Sequence, residues 1–138
     1  MTVKLVTPQG IIIDSNKVDK LTIPTEEGII TILEDHVPMI SIVSTGEVVV
    51  GFENDTDDEI LAISKGILEI GQNSEIHILA DTAERAPEID IDRAEQARLA
   101  AEEFLKKQHN LEDVDFARIQ AKIEKELARV NVGKKWRK

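Results

Sequence analysis

The sequence contains no cysteine, which excludes disulfides, thiolate metal sites and thiol nucleophiles and fits a reducing compartment. Aromatic residues make up only 3% of its 138 residues, so any core has to be assembled from Ile, Val, Leu and Ala. The hydrophobic fraction is nevertheless 41%, enough to support a packed core and to argue against disorder. No apolar run approaches the roughly 20 residues needed to span a bilayer. The opening Met1-Thr2-Val3-Lys4-Leu5 lacks the apolar stretch of a secretory signal. A soluble, cytoplasmic protein is expected.

Enzymatic signatures are missing too. There is no glycine-rich phosphate loop followed by Lys-Ser/Thr and no Gly-x-Ser-x-Gly. His36, His77 and His109 are isolated, without the His-x-x-x-His spacing of a helical metal site. Asn54-Asp55-Thr56-Asp57-Asp58 lacks the rest of a calcium-binding loop and reads as a solvated turn between two strands. A non-enzyme without a metal site is expected.

Charge is present but unevenly placed. Residues 1–86 carry five basic and 16 acidic side chains, residues 87–138 carry 12 and 11, and residues 115–138 carry eight and three. The tail is therefore either a solvated basic balance to an acidic domain or a surface for an acidic partner. Nucleic acid is a poor partner for the whole chain, because its larger part would be repelled by phosphates.

Two architectures follow one another. Val3 and Leu5 alternate with polar residues, and Pro8-Gln9-Gly10 turns the chain into Ile11-Ile12-Ile13. Lys20-Leu21-Thr22-Ile23 alternates again and should stop at Pro24; residues 29–33, 39–43, 47–52, 59–63, 66–70 and 75–80 make further short runs. Ser44-Thr45-Gly46 between two of them is a hairpin signal. Short β-branched runs punctuated by Gly and Pro predict an antiparallel sandwich or barrel, and no helix-length segment interrupts them to build a parallel sheet. At Pro87 the period changes. Ala94, Ala97, Ala101, Phe104 and Leu105 fall at helical spacing behind the candidate caps Asp90 and Asp92, the latter in capping-box spacing with Glu95. Lys106 and Lys107 suit that helix's negative end, and Gln108-His109-Asn110 breaks the pattern. A second helix, capped by Asp113 or Asp115, carries Phe116, Ile119, Ile123, Leu127 and Val130 and should end at Asn131-Val132-Gly133. Two amphipathic helices with a short link predict an antiparallel hairpin. The chain thus divides into a β domain, 1–86, and a helical hairpin, 87–138.

Arg118, Lys122, Lys125 and Arg129 recur at steps of 4, 3 and 4, which puts four cations along one side of the second helix. The same residue types would also make an ordinary solvated face. Alanine at 94, 97, 100, 101, 117, 121 and 128 keeps helix propensity high while burying little area per residue. That composition suits either close helix packing or a loosely docked arm. Opened end to end, two helices of about 25 Å each could reach about 60 Å.

These residues resemble the bacterial-type F-type ATP synthase epsilon subunit family. The resemblance rests on Val6-Thr7-Pro8 with Gly10; on Ile23-Pro24-Thr25-Glu26-Glu27-Gly28 followed by Ile32-Leu33 and His36-Val37-Pro38-Met39-Ile40; and on Ser64-Lys65-Gly66-Ile67-Leu68-Glu69-Ile70. It continues through Ile78-Leu79-Ala80-Asp81-Thr82-Ala83-Glu84-Arg85 into the helices, nearly the whole chain. It implies a ten-stranded sandwich followed by a two-helix hairpin, in a central-stalk subunit on the cytoplasmic face of the bacterial plasma membrane, held there only through its complex. The partners it implies are a gamma subunit, the ring of c subunits, and the alpha and beta catalytic subunits, which the basic side of the second helix would engage to inhibit ATP hydrolysis. Ring contact maps to the segment 27–36, with Glu27 and His36 as candidates, where this sequence departs from the family at Ile29, Thr31 and Glu34-Asp35. Ile89-Asp90-Ile91-Asp92-Arg93-Ala94 matches the motif with which some members bind ATP as a regulatory ligand. By the same resemblance Glu84, Ile89, Asp90, Arg93, Ala94, Lys125 and Arg129 would form that site, with Lys125 standing where ATP-binding members tend to have Arg. The plain alternative for Asp90 and Arg93 is a helix cap with a surface ion pair, and for the whole chain a generic adaptor without a nucleotide site.

Overall fold

Two turns of one design open the β domain. At Thr7-Pro8-Gln9-Gly10 and at Thr25-Glu26-Glu27-Gly28 the threonine hydroxyl donates to the glycine carbonyl, at 3.4 and 2.6 Å, and accepts the amide two residues on, at 3.2 Å in both. Gly10 and Gly28 have φ of 136° and 120°, a region that a side chain disfavours. The computed structural model describes residues 1–55, 57–107 and 112–136. Its strands are β1 (Thr2–Thr7), β2 (Gly10–Ser15), β3 (Val18–Thr25), β4 (Gly28–Leu33), β5 (Met39–Val43), β6 (Gly46–Phe52), β7 (Glu59–Ile63), β8 (Gly66–Ile70), β9 (Glu75–Ala80) and β10 (Ala83–Arg85).

These strands hydrogen-bond in the order β10-β7-β6-β3-β5-β8-β9-β1-β2, with β4 also on β3. The sheet folds over at the Thr25–Val43 pair, and the two resulting leaves share one core. Leu21, Ile23, Val48, Val50, Leu61 and Ile63 enter it from one leaf and Val3, Leu5, Leu68, Ile70, Ile76 and Ile78 from the other, none more than 2% exposed. Each such side chain contributes about 1.5–3 kcal/mol on burial.

The structure corrects three local expectations and adds a fourth point. Ser44-Thr45-Gly46 does not close a hairpin: β5 pairs with β8 and β6 pairs with β7 and β3, so the turn carries the chain from one leaf to the other. Pro24 does not end β3. The β3–β6 ladder stops at Thr22, so no donor is demanded of the proline, and its carbonyl accepts the Ser44 amide at 3.1 Å. Gly133 does not end the second helix, for the reason given below. In addition, β1 runs parallel to β9, whereas the other strand pairs among the described residues are antiparallel.

The helices are α1 (Ile91–Lys107) and α2 (Asp113–Trp136). Asp90 caps α1, its Oδ1 accepting the Arg93 amide at 3.1 Å, so Asp92 lies in the first turn instead; Asp113 and Asp115 likewise lie in the first turn of α2. Gln108, His109 and Asn110, expected to break the helix, lie outside the described residues. The helices are antiparallel: Gly133 sits against Ile91, and Phe104 shares a groove with Asp115 and Ile119. At 24 residues, α2 is about 36 Å long, longer than the sequence pattern indicates.

The arm docks by one end. The C-terminal part of α2 packs on β6, β7 and the 3-10 turn Ala86–Glu88. There a small apolar cluster joins Ala62, Ala86, Ile89 and Val132, flanked by Ile60 and Ile91. Strand β7 is therefore buried on both faces. At the far end Phe116 is 51% exposed and Phe104 46%, so that end is held mainly by the other helix. Gly133 explains the continuity of α2: a Cβ there would lie 2.7 Å from Ile91 Cγ1, so the glycine marks a close helix approach rather than a cap.

Candidate functional site

Where α2 crosses the sandwich a cavity of about 640 Å³ opens between β7, β10, the start of α1 and the middle of α2. Five of the seven residues assigned to nucleotide by resemblance line it: Glu84, Asp90, Arg93, Lys125 and Arg129. Ile89 and Ala94 do not. Both are buried, at 1% and 0% exposure, Ile89 within the cluster under α2. The motif thus supplies both the wall of the cavity and the apolar floor that fixes that wall.

Arg129 is the centre of the cavity's ion pairs. Its Nε donates to Glu84 Oε2 at 2.7 Å, its Nη2 to Glu84 Oε1 at 3.3 Å and its Nη1 to Glu126 Oε2 at 2.9 Å. Burial opposes the charge on Arg129, but the hydrogen bonds and charges of Glu84 and Glu126 outweigh it and hold the guanidinium above its ordinary pKa. The two-point contact with Glu84 is the geometry in which arginine binds carboxylates and phosphates best. Among the described residues Arg93, Lys122 and Lys125 have no ion-pair partner, although all three line the same cavity. An anion entering here would meet three cations that have no ion-pair partner, with Glu88 and Asp90 on the same walls and Asp90 already capping the start of α1.

The basic stripe of α2 runs into this cavity rather than away from it. Arg118 has a side chain 77% exposed, whereas that of Arg129 is only 19% exposed. Lys122 and Lys125, between them in sequence, line the cavity with Arg129. Glu126 was not legible as a site residue, because an acid between basic residues on an amphipathic helix reads as solvated. Its spacing of three from Arg129 was the available signal.

Comparison with known proteins agrees with this architecture. Residues 1–86 match the model of the ATP synthase Delta/Epsilon chain beta-sandwich domain, and residues 88–134 match that of the same chain's long alpha-helix domain. The chain belongs to the ATP synthase delta/epsilon family. It is 35% identical to the ATP synthase epsilon chain of Pediococcus pentosaceus over 135 residues, 97% of this chain and 95% of the relative. It is 37% identical to that of Herpetosiphon aurantiacus over 131 residues, 95% and 92% of the two. The fold also superposes on a chain of the Euglena gracilis mitochondrial ATP synthase OSCP/F1/c-ring structure, with a TM-score of 0.75 at 22% identity, covering 95% of this chain and 78% of the other. A chain of the Tetrahymena thermophila mitochondrial ATP synthase central stalk/c-ring gives a TM-score of 0.62 at 15% identity, over 100% and 96%.

Two further surfaces lie away from this cavity. Glu27 and His36 do not share a loop: Glu27 lies in the β3–β4 turn and His36 beyond the other end of β4, some 17 Å of strand away. His36 is fixed locally, its Nδ1 2.8 Å from the Val37 carbonyl. On the outer face of the leaf away from the arm, Ile42, Ile67, Leu79, Val6 and Ile11 are cross-strand partners in succession. Val6 is half-buried and the other four are 52–59% exposed, an apolar row across five strands. Beside it, Glu69, His77, Lys4 and Asp14 form a polar row. His77 is an exposed strand residue.

Proposed function

We propose that this chain is a non-catalytic central-stalk subunit of an F-type ATP synthase, coupling proton transport to ATP synthesis, with an arm that restrains ATP hydrolysis and responds to ATP. The observation that carries the regulatory part is the double position of the basic stripe: Lys122, Lys125 and Arg129 belong both to the α2 face suited to acidic partners and to the cavity against the sandwich. While the arm is docked, those charges face the sandwich, and a bound triphosphate would neutralise them. When the arm opens along a gamma subunit, the same charges are free to meet acidic surfaces of the alpha and beta catalytic subunits. The two uses exclude each other.

Magnitudes limit what ATP can do alone. Moving such an equilibrium from 1:99 to 99:1 needs about 5.5 kcal/mol of differential binding, and a ligand at 100 times its Kd supplies about 2.7 kcal/mol. ATP therefore biases the arm, with gamma contacts supplying the rest. The apolar row of Ile42, Ile67, Leu79, Val6 and Ile11 is the face offered to gamma, since a continuous exposed aliphatic patch marks an interface. The β4 margin, from Glu27 to His36, is the side offered to the c-ring. Membrane association at the cytoplasmic face then comes through the complex; among the described residues no helix is long and apolar enough to cross a bilayer.

The test has two parts. Removing residues 87–138 should raise the ATP hydrolysis rate of the assembled motor; an unchanged rate removes the inhibitory role. ATP should raise the thermal midpoint of the wild-type chain more than that of Arg93→Ala; equal shifts remove Arg93 from any site and favour an adaptor without nucleotide.

A further inference from the structure

Glu126 is a charged group that the proposed mechanism leaves unused. It is 5% exposed, the one carboxylate among the buried polar side chains of the described residues, and it lies on the cavity wall. Its partner is Arg129, three residues along α2, at 2.9 Å. Glu84 holds the same guanidinium from the sandwich at 2.7 and 3.3 Å. Three of the five guanidinium N–H donors are thus committed to two carboxylates before any ligand arrives.

We infer that Glu126 is a built-in competitor for the phosphates of the cavity's ligand and so sets the affinity of the site; this rests on the nucleotide reading above. The two carboxylates differ in what they can do. Glu84 belongs to β10, so its hold on Arg129 exists only while the arm is docked. Glu126 travels on α2 with Arg129 and keeps its hold in either position of the arm. A phosphate reaching Arg129 must share it with Glu126, whose side chain is only 7% exposed on the cavity wall and has little room to swing away from the repulsion. The charge balance points the same way. Glu84, Glu88, Asp90 and Glu126 offset Arg93, Lys122, Lys125 and Arg129 around the cavity, so removing one carboxylate leaves a net positive wall.

Glu126→Gln removes the charge while preserving shape and a carbonyl that still accepts from Arg129. By titration calorimetry on the full chain without divalent cations, E126Q should bind both ATP and inorganic tripolyphosphate about fivefold to tenfold more tightly than wild type, a gain of about 1–1.4 kcal/mol. Glu124→Gln, which removes the same charge from an exposed position of α2 outside this cavity, should leave affinity unchanged. In an Arg129→Gln background the E126Q gain should shrink to what the change in wall charge alone supplies, an effect that a merely structural role for Glu126 would not produce. If wild type binds ATP and Arg93→Ala does not, yet E126Q binds no more tightly, the inference is overturned with the nucleotide site intact. A gain matched by E124Q also overturns it, since bulk charge then suffices. If neither wild type nor E126Q binds ATP or tripolyphosphate, the nucleotide reading itself fails and takes the inference with it.

Discussion

Arg129 on α2 reaches across to Glu84 on β10, Nε to Oε2 at 2.7 Å and Nη2 to Oε1 at 3.3 Å. This is a two-point ionic contact between the arm and the rigid sandwich. Lys135 Nζ meets the Glu47 carboxylate at 2.9 and 3.1 Å further along α2, but the Lys135 side chain is 55% exposed, and such pairs contribute little. Between these two contacts lies the small cluster of Ala62, Ala86, Ile89 and Val132. Among the described residues, docking therefore rests on few apolar groups and one well-formed ion pair.

Glu84→Gln should weaken docking by about 1 kcal/mol, the upper range for a pair that retains some solvent contact. The sandwich itself should be unaffected, because Glu84 contributes to it through backbone pairing with Ala62. Hydrogen exchange should show faster opening at α2 amides near residues 126–133, with rates in β1, β8 and β9 unchanged. Uniform acceleration across both regions would mean that the contact stabilises the whole molecule and not the arm.

Gly133→Ala sets two effects against each other. Alanine raises helix propensity by about 1 kcal/mol over glycine, yet its Cβ would lie 2.7 Å from Ile91 Cγ1 and 3.1 Å from Cδ1. Ile91 is β-branched and half-buried against the cluster under α2, so it has little freedom to yield. The expected result is undiminished helical circular dichroism with an arm that is cleaved more readily by protease. Greater protease resistance would show that propensity wins and that the close approach is not required.

The strands were legible because alternation is a local property. Ile76, His77 and Ile78 show it plainly: the isoleucines are buried and the histidine is exposed. What local pattern cannot reveal is which leaf a strand joins, so Ser44-Thr45-Gly46 reads as a hairpin although its flanking strands lie in different leaves. Gly133 misleads in the same way, since a glycine late in a helical pattern usually marks its end. In the site, Asp90 and Arg93 are recognisable because helix start and motif coincide. Glu126 is invisible because its burial is imposed by a sandwich more than 40 residues away in sequence.

Leu79→Asp should abolish co-purification with a gamma subunit while leaving the isolated chain folded. Leu79 is 59% exposed, and its neighbours Ile67 and Val6 sit opposite it on β8 and β1, so the charge would enter the middle of the apolar row without meeting the core. Wild-type thermal stability with lost association is the expected pair of results. Retained association would mean that gamma uses another face.

Acidification should loosen α1. Hydrogen bonding from Arg98 holds the Glu95 carboxyl below its ordinary value of 4.5, with lesser help from the charges of Arg98 and Lys134. The hydrogen bond to Glu95 correspondingly raises Arg98, helped by Glu102, whose carboxylate accepts from Arg98 Nη1 at 2.9 Å. A carboxyl depressed in the folded state binds its proton more readily in the unfolded one. Its contribution is therefore complete above about pH 4.5 and is lost as pH falls through the lower folded value. Helical circular dichroism should decline below that point in wild type, and Glu95→Gln should be less helical at neutral pH and flatter through the acid range. High salt should reproduce part of the loss at neutral pH, since a partly exposed pair is screened. A Glu95→Gln curve that declines as steeply as wild type would assign the acid transition to other carboxylates and leave the Glu95–Arg98 pair without a stabilising role.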